Sequence, residues 1–325
     1  MRSRGKGRTV CGLSLIAVLT LAGCGRSVDG APADDEREPL TSAALGDPRT
    51  IDPCSLIAPK AFEEHGPTHP MPRKWLDNCR TAVTVGSENV EVSSGMLRPA
   101  AAIPESQELV SAQPGDARIV RVPSGGATCE LHVVLTDGIG IEVSARPQQY
   151  DSVLEDDKVC AIAEAGARGM VTTLSSGEIR HWKPAHNSLA RVSACGPLPA
   201  AEVAKMVDAS PSDVTLYPAE HQCTWGVGEG ETSNVQLDFI LGPELDPRDG
   251  TMEDIGGRSS LVIPTDTENL RVCNISTEHI EFPDAVEGER EIALVRVLHL
   301  TETGKDPCDT ARQVAGTAWP RLPPP

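Results

Sequence analysis

Apolar residues recur along this chain in two rhythms. One is the alternation of half-buried strands. In CRTAVTVGSENVEV (79–92) a strand leads from a cysteine into a Gly-bearing turn, and Asn-Val opens a second strand. CTWGVGEGETSNVQL (223–237) repeats that hairpin. CELHVVLTDGIGIEVSA (129–145) carries Asp137-Gly138, a strong hairpin-turn pair. ARIVRV (117–122), SLVIP (260–264) and EIALVRVLHL (291–300) are further strands. The other rhythm is helical: KVCAIAEAGARGMVTTL (158–174) and DPCDTARQVAGTAWPRL (306–322) each place an alanine three residues after a cysteine, Ala163 and Ala311. Asp306-Pro307 supplies a cap and a proline at the first helical position, and Asp52-Pro53 repeats the device. Short helical runs follow in DPCSLIAPKAFEEHG (52–66) and SACGPLPAAEVAKMV (193–207). Each unit thus reads helix, several antiparallel strands, helix, which is α+β with helices on one face of a sheet.

The cysteines give the organisation. Cys54, Cys79, Cys129 and Cys160 are spaced by 25, 50 and 31 residues; Cys195, Cys223, Cys273 and Cys308 are spaced by 28, 50 and 35. The match predicts a tandem duplication. The expected layout is a leader at 1–23, a flexible tether at 24–50, one repeat at 51–178, a linker at 179–190, a second repeat at 191–322 and a loose tail at 323–325. Eight cysteines in two sets of four favour disulfides over zinc, which uses closely paired cysteines. Four cysteines allow three pairings. The preferred one joins first to fourth and second to third, Cys54–Cys160 and Cys79–Cys129, then Cys195–Cys308 and Cys223–Cys273.

The first 24 residues carry an address. Arg2, Arg4, Lys6 and Arg8 precede an apolar run at 9–21 that is too short to span a bilayer comfortably and suits a signal peptide. Leu21-Ala22-Gly23-Cys24 resembles a bacterial lipobox, which implies that Cys24 becomes the lipidated N-terminus, bearing acyl chains such as palmitate. An ordinary secretory signal is the alternative. More than one chain makes anchoring stable, so the expected location is the outer face of the cytoplasmic membrane.

Charge narrows the partners. The formal net charge is −18, and losing the leader makes the body four charges more acidic. Such a surface repels nucleic acid and anionic headgroups. Aromatic residues are 3%, so sugar-stacking platforms are improbable and the cores are aliphatic. Residues 25–50 are poor in large apolar groups, hence the tether.

Candidate chemistry is sparse. No G-x-S-x-G, H-E-x-x-H, P-loop or EF-hand loop occurs. Gly226, Gly228 and Gly230 form a hairpin turn, with Glu229 and Glu231 unsuited to phosphate. His65 and His69 are separated by a Gly-Pro that breaks any shared helical face; His181 and His186 lie in the linker. Asp246, Asp249, Glu253 and Asp254 read as a solvated loop, because the last ligand of an EF-hand would fall at Gly257. Trp182, between the units, packs at their interface or lines a ligand cleft. No cofactor, metal or catalytic residue is expected.

The lipobox, acidic tether, Asp-Pro-Cys, Cys223-Thr224-Trp225 and the Cys-x-x-Ala helices together resemble an actinobacterial lipoprotein family of unknown function, present as two copies. The first copy departs from it, with Arg80-Thr81 in place of Thr224-Trp225. The resemblance implies a PsbP/Mog1-like sheet-and-helix fold and an envelope address, and no reaction. The expected function is therefore non-catalytic binding, sensing or scaffolding at the envelope, with an envelope protein as partner. The alternative is small-ligand binding in a cleft between the repeats, and a cell-envelope hydrolase is the least favoured.

Overall fold

The computed structural model describes residues 38–325, apart from 105–107, 113, 208, 227–232 and 268. The leader, Cys24 and most of the expected tether lie outside the described residues. Seven strands form the first sheet: β1 (Thr68–Pro70), β2 (Cys79–Val85), β3 (Glu88–Pro99), β4 (Glu108–Ala112), β5 (Arg118–Val122), β6 (Cys129–Val134) and β7 (Ile139–Pro147). Their antiparallel order is β1-β2-β3-β7-β6-β5-β4. Helix α1 (Asp156–Ser176) follows, and α2 (Ala200–Met206) opens the second half. The second sheet holds β8 (Val214–Leu216), β9 (Gln222–Trp225), β10 (Asn234–Gly242), β11 (Thr251–Ile255), β12 (Arg258–Asp266), β13 (Leu270–Glu281) and β14 (Arg290–Leu300) before α3 (Pro307–Ala318). Its order, β8-β9-β10-β14-β13-β12-β11, repeats the first strand for strand.

The helices sit where the strand alternation points. Leu131 and Val133 on β6 and Ile141, Val143 and Ala145 on β7 share a core with Val159, Ile162, Ala163, Ala167, Met170 and Leu174 of α1. Those α1 positions recur every three or four residues, as a helix with one apolar stripe requires. Gly177, in the left-handed conformation at φ 68°, ends α1. Asp306 caps α3 by accepting from the Cys308 N–H at 2.9 Å, with Pro307 at the first position. Asp52 does the same for Cys54 at 3.1 Å, but there the chain makes only 3-10 turns at Pro53–Ser55 and Pro59–Phe62. The expected opening helix is therefore absent from the first half: prolines at 53 and 59 allow single turns and no longer run.

Among the described residues four disulfides form, and their pairing corrects the expected one: Cys54–Cys79, Cys129–Cys160, Cys195–Cys223 and Cys273–Cys308. The sheet order is the reason. Cys79 starts β2 and Cys129 starts β6, with β3 and β7 between them. Three strand spacings amount to about 14 Å, beyond the roughly 7 Å limit for bridged Cα atoms. Each bridge instead ties a strand to a neighbouring turn or helix, at the same topological places in both halves.

Two expected loose segments are packed. Residues 38–50 belong to the body: the Leu40 N–H donates to Gly115 O at 2.8 Å, and Leu40 and Leu45 join the first core. The tail after α3 is held too, with Trp319 and Leu322 buried and Arg321 donating to Pro197 O at 2.7 Å.

Candidate functional site

The halves meet through the segment before β2. Trp75 bridges to Ile240 and the Leu241 N–H donates to Lys74 O at 3.0 Å, so this segment of the first half borders the second sheet. Arg73, one residue earlier, is the hub. Its Nη2 donates to Asp52 at 3.1 Å and its backbone N–H donates to Glu289 at 2.9 Å. Its guanidinium lies 5.3 Å from the Trp182 ring centre and 5.6 Å from that of Phe282. Trp182 and Phe282 meet edge to face at 5.2 Å. The cavity beside them measures about 30 Å³, room for a single water. Trp182 is thus packed at the seam, and the space where a ligand cleft was the alternative is filled by side chains. Glu291, buried nearby, accepts from Ser188 Oγ at 2.6 Å and the Leu189 N–H at 2.7 Å; burial still pushes its carboxyl above the usual range.

Two further acids lie at this junction. Burial pushes Asp238, on β10, up to about 7, with Asp77 raising it further and Arg296 opposing. Burial pushes Asp77 itself up to about 6. Neither carboxylate oxygen of Asp238 has a hydrogen-bond partner, although Gln222 faces it across the strands and is close enough to favour its charge. His221, next to Gln222 in sequence, is buried, and desolvation lowers it to about 4.

Other sequence candidates separate. Glu253 accepts from Arg312 at 2.8 and 2.9 Å, and Asp246 pairs with Arg248. Two of the four acids in 246–254 thus pair with different arginines. His69 lies on β1, His65 in the turn before it, His186 is exposed, and His181 bonds Thr50 at 3.0 Å. Among the described residues no group of three or more His, Cys, Asp or Glu is placed to hold a metal ion. Gly228, Gly230, Glu229 and Glu231 lie outside the described residues.

A space large enough for a small molecule lies in the second half. A cavity of about 840 Å³ opens between the Gly256-Gly257 turn, β12, β13 and the tail. Both glycines have positive φ, 58° and 78°, which a two-residue hairpin turn requires. The turn packs tightly: a Cβ on Gly256 would approach Trp319 Cβ to 3.2 Å. Leu245, Met252, Trp319 and Leu322 give the lining its apolar part, and Arg258, Glu244 and Glu278 its charge. Glu278 is satisfied, by Arg290 at 3.1 Å and the Leu245 N–H at 2.6 Å. Arg258 has no acidic partner among the described residues. Its Nη1 faces His279 Nδ1 at 3.3 Å and its Nη2 donates to Pro323 O. His279 Nε2 lies 2.6 Å from Asn187 O and must donate to it, so Nδ1 is the acceptor and the ring is neutral. Burial lowers the pKa of both Arg258 and His279.

Sequence reasoning missed the hub and the cavity. One signal was available: Asp238 is the lone acid in the apolar run NVQLDFILG. Arg73 and Arg258 carry no comparable mark.

No family model matches the chain, and no curated protein matches it. Among solved structures, the chain shares 12% identity with DynU16, from the dynemicin biosynthetic locus, over 83% of this chain and 93% of that one, with a TM-score of 0.17. At that score the likeness carries no argument.

Proposed function

We propose that this chain is an exported, lipid-anchored binding protein of the cell envelope, built by tandem duplication, whose second half holds a small ligand. The observation that carries the binding reading is the cavity of about 840 Å³, which falls within the size range of ligand pockets and combines apolar walls with a few converging polar groups. Four disulfides support an oxidising compartment, and the lipobox supports attachment through Cys24. The repeated strand order supports the duplication. Membership of the actinobacterial lipoprotein family, and a PsbP/Mog1-like fold for each half, belong to the same proposal.

Two substitutions test its two parts. Cys24→Ser should move the protein from the membrane fraction to the soluble one; retention on the membrane with lipid label would remove the anchor. Ser259→Trp fills the cavity from an exposed lining position. Compounds that raise the melting temperature of the parent should leave the Ser259→Trp protein unmoved. Equal shifts in both would place binding elsewhere.

One observation favours a protein partner as the second reading. Tyr150 and Val153 stand strongly exposed in the loop between β7 and α1. Crosslinking on intact host cells through that loop should then capture one reproducible envelope protein.

A further inference from the structure

We propose that the ligand of the second-half cavity is a small amphipathic carboxylate, its charged end on Arg258 and its apolar body against Met252 and Leu245. This rests on the reading of the cavity as a binding site and adds the class of occupant.

Three observations converge. First, Arg258 is a partly buried cation whose partners are neutral: the His279 imidazole and the Pro323 carbonyl. A partly desolvated guanidinium bonded to neutral acceptors is only partly compensated, and a carboxylate would give it a two-pronged, charge-assisted bond roughly twice as strong as a neutral one. Second, the lining holds two acids: Glu278 is engaged by Arg290 and the Leu245 N–H, and Glu244 is exposed. Among the described residues no acid pairs with Arg258. Third, the Pro323 carbonyl occupies a place on Arg258 that a ligand oxygen can take. The tail is anchored by buried Leu322 and the Arg321 bond to Pro197 O, and beyond it Asn187 Nδ2 donates to Pro324 O at 3.1 Å while Pro324 and Pro325 are exposed. A ligand carboxylate displacing Pro323 O exchanges a neutral acceptor for a charged one. The flanking Met252, exposed, and Leu245, half-buried, offer the adjoining apolar surface.

The orientation of His279 strengthens the geometry. Because its Nε2–H is committed to Asn187 O, its Nδ1 lone pair steers one guanidinium edge and leaves the remaining N–H groups for the cavity.

The test is isothermal titration of the full chain carrying Cys24→Ser with decanoate and with decanol, both below their micellar concentrations. The expected result is decanoate binding at least tenfold tighter than decanol. In Arg258→Met that preference should vanish, with both probes at the weaker affinity; Arg258→Lys should keep the preference at reduced strength. Should Arg258→Met fail to fold, Arg258→Lys and the acid–alcohol comparison carry the decision. Equal affinity for acid and alcohol, abolished by Ser259→Trp, would overturn the carboxylate and leave the binding site standing. Binding of neither probe would overturn both.

Discussion

Leu76, three residues before Cys79, lies in the core of the second half, and Ala219, four residues before Cys223, lies in the core of the first. Each half sends the segment ahead of its second cysteine into the other. Both side chains are fully buried. The halves therefore complete one another, and neither core is whole alone.

Leu76→Ala should cost about 2–5 kcal/mol, the range for a buried leucine truncated in a packed core. Because Leu76 is covalently part of the first half and packed in the second, denaturant unfolding should remain a single transition, shifted as a whole. Two separated transitions, with only the second-half one displaced, would show that the halves fold independently.

Arg73 joins the halves by charge as well as by packing. It is buried, as is its partner Asp52. Removing one member of such a pair strands the other, at about 3–5 kcal/mol. Asp52 keeps a second arginine, Arg180 at 3.1 Å, so Arg73→Ala should fall at the lower end of that range. Arg180→Ala, whose side chain is largely exposed, should cost under about 1 kcal/mol. Chemical denaturation of both variants measures the contrast.

Asp238 makes stability depend on pH with a defined sign. Its folded pKa, about 7, is above the ordinary value of 3.8. The folded state holds a proton that the unfolded state has released, so stability falls as pH rises from about 4 to about 7 and then levels off. Asp77, at about 6, acts in the same direction. His221, held at about 4, acts oppositely: its burial costs stability as pH falls from about 6.5 towards 4. Asp238→Asn should leave stability near pH 4 unchanged and raise it by a few kcal/mol at pH 8, since each tenfold difference in proton affinity between the folded and unfolded states is worth about 1.4 kcal/mol. Melting temperatures across that range decide it; a parallel offset at every pH would assign the gain to something other than ionisation.

The disulfides should be found by non-reducing peptide mapping as Cys54–Cys79, Cys129–Cys160, Cys195–Cys223 and Cys273–Cys308. Each closes a loop of 25–35 residues and should stabilise by about 3.5 kcal/mol on the loop-entropy relation. Replacing Cys273 and Cys308 together by serine should lower stability by about that amount. A peptide linking Cys79 to Cys129 would contradict the strand order itself.

What was legible in the sequence was local. Strand alternation, the Asp137-Gly138 turn, the Asp-Pro caps and the cysteine spacing depend on neighbours a few residues apart, or on a comparison of one half with the other. The Asp52 cap illustrates the limit: its bond to the Cys54 N–H is two residues away and readable, whereas its arginines come from 21 and 128 positions off. The disulfide pairing was misread for the same reason, since it follows from β3 and β7 standing between β2 and β6. Leu40 and Leu45 looked like tether residues because a polar, proline-bearing segment can still dock two leucines once a sheet is there to receive them. The cavity depends on where the tail returns, which no periodicity encodes.

Native mass spectrometry of the protein gently extracted from the membranes of its host tests the binding claim most directly. One additional small mass per chain is expected, released on unfolding and absent from Ser259→Trp. A parent protein that carries no such mass at any extraction condition, or one whose extra mass persists in Ser259→Trp, would contradict a ligand site in the second-half cavity.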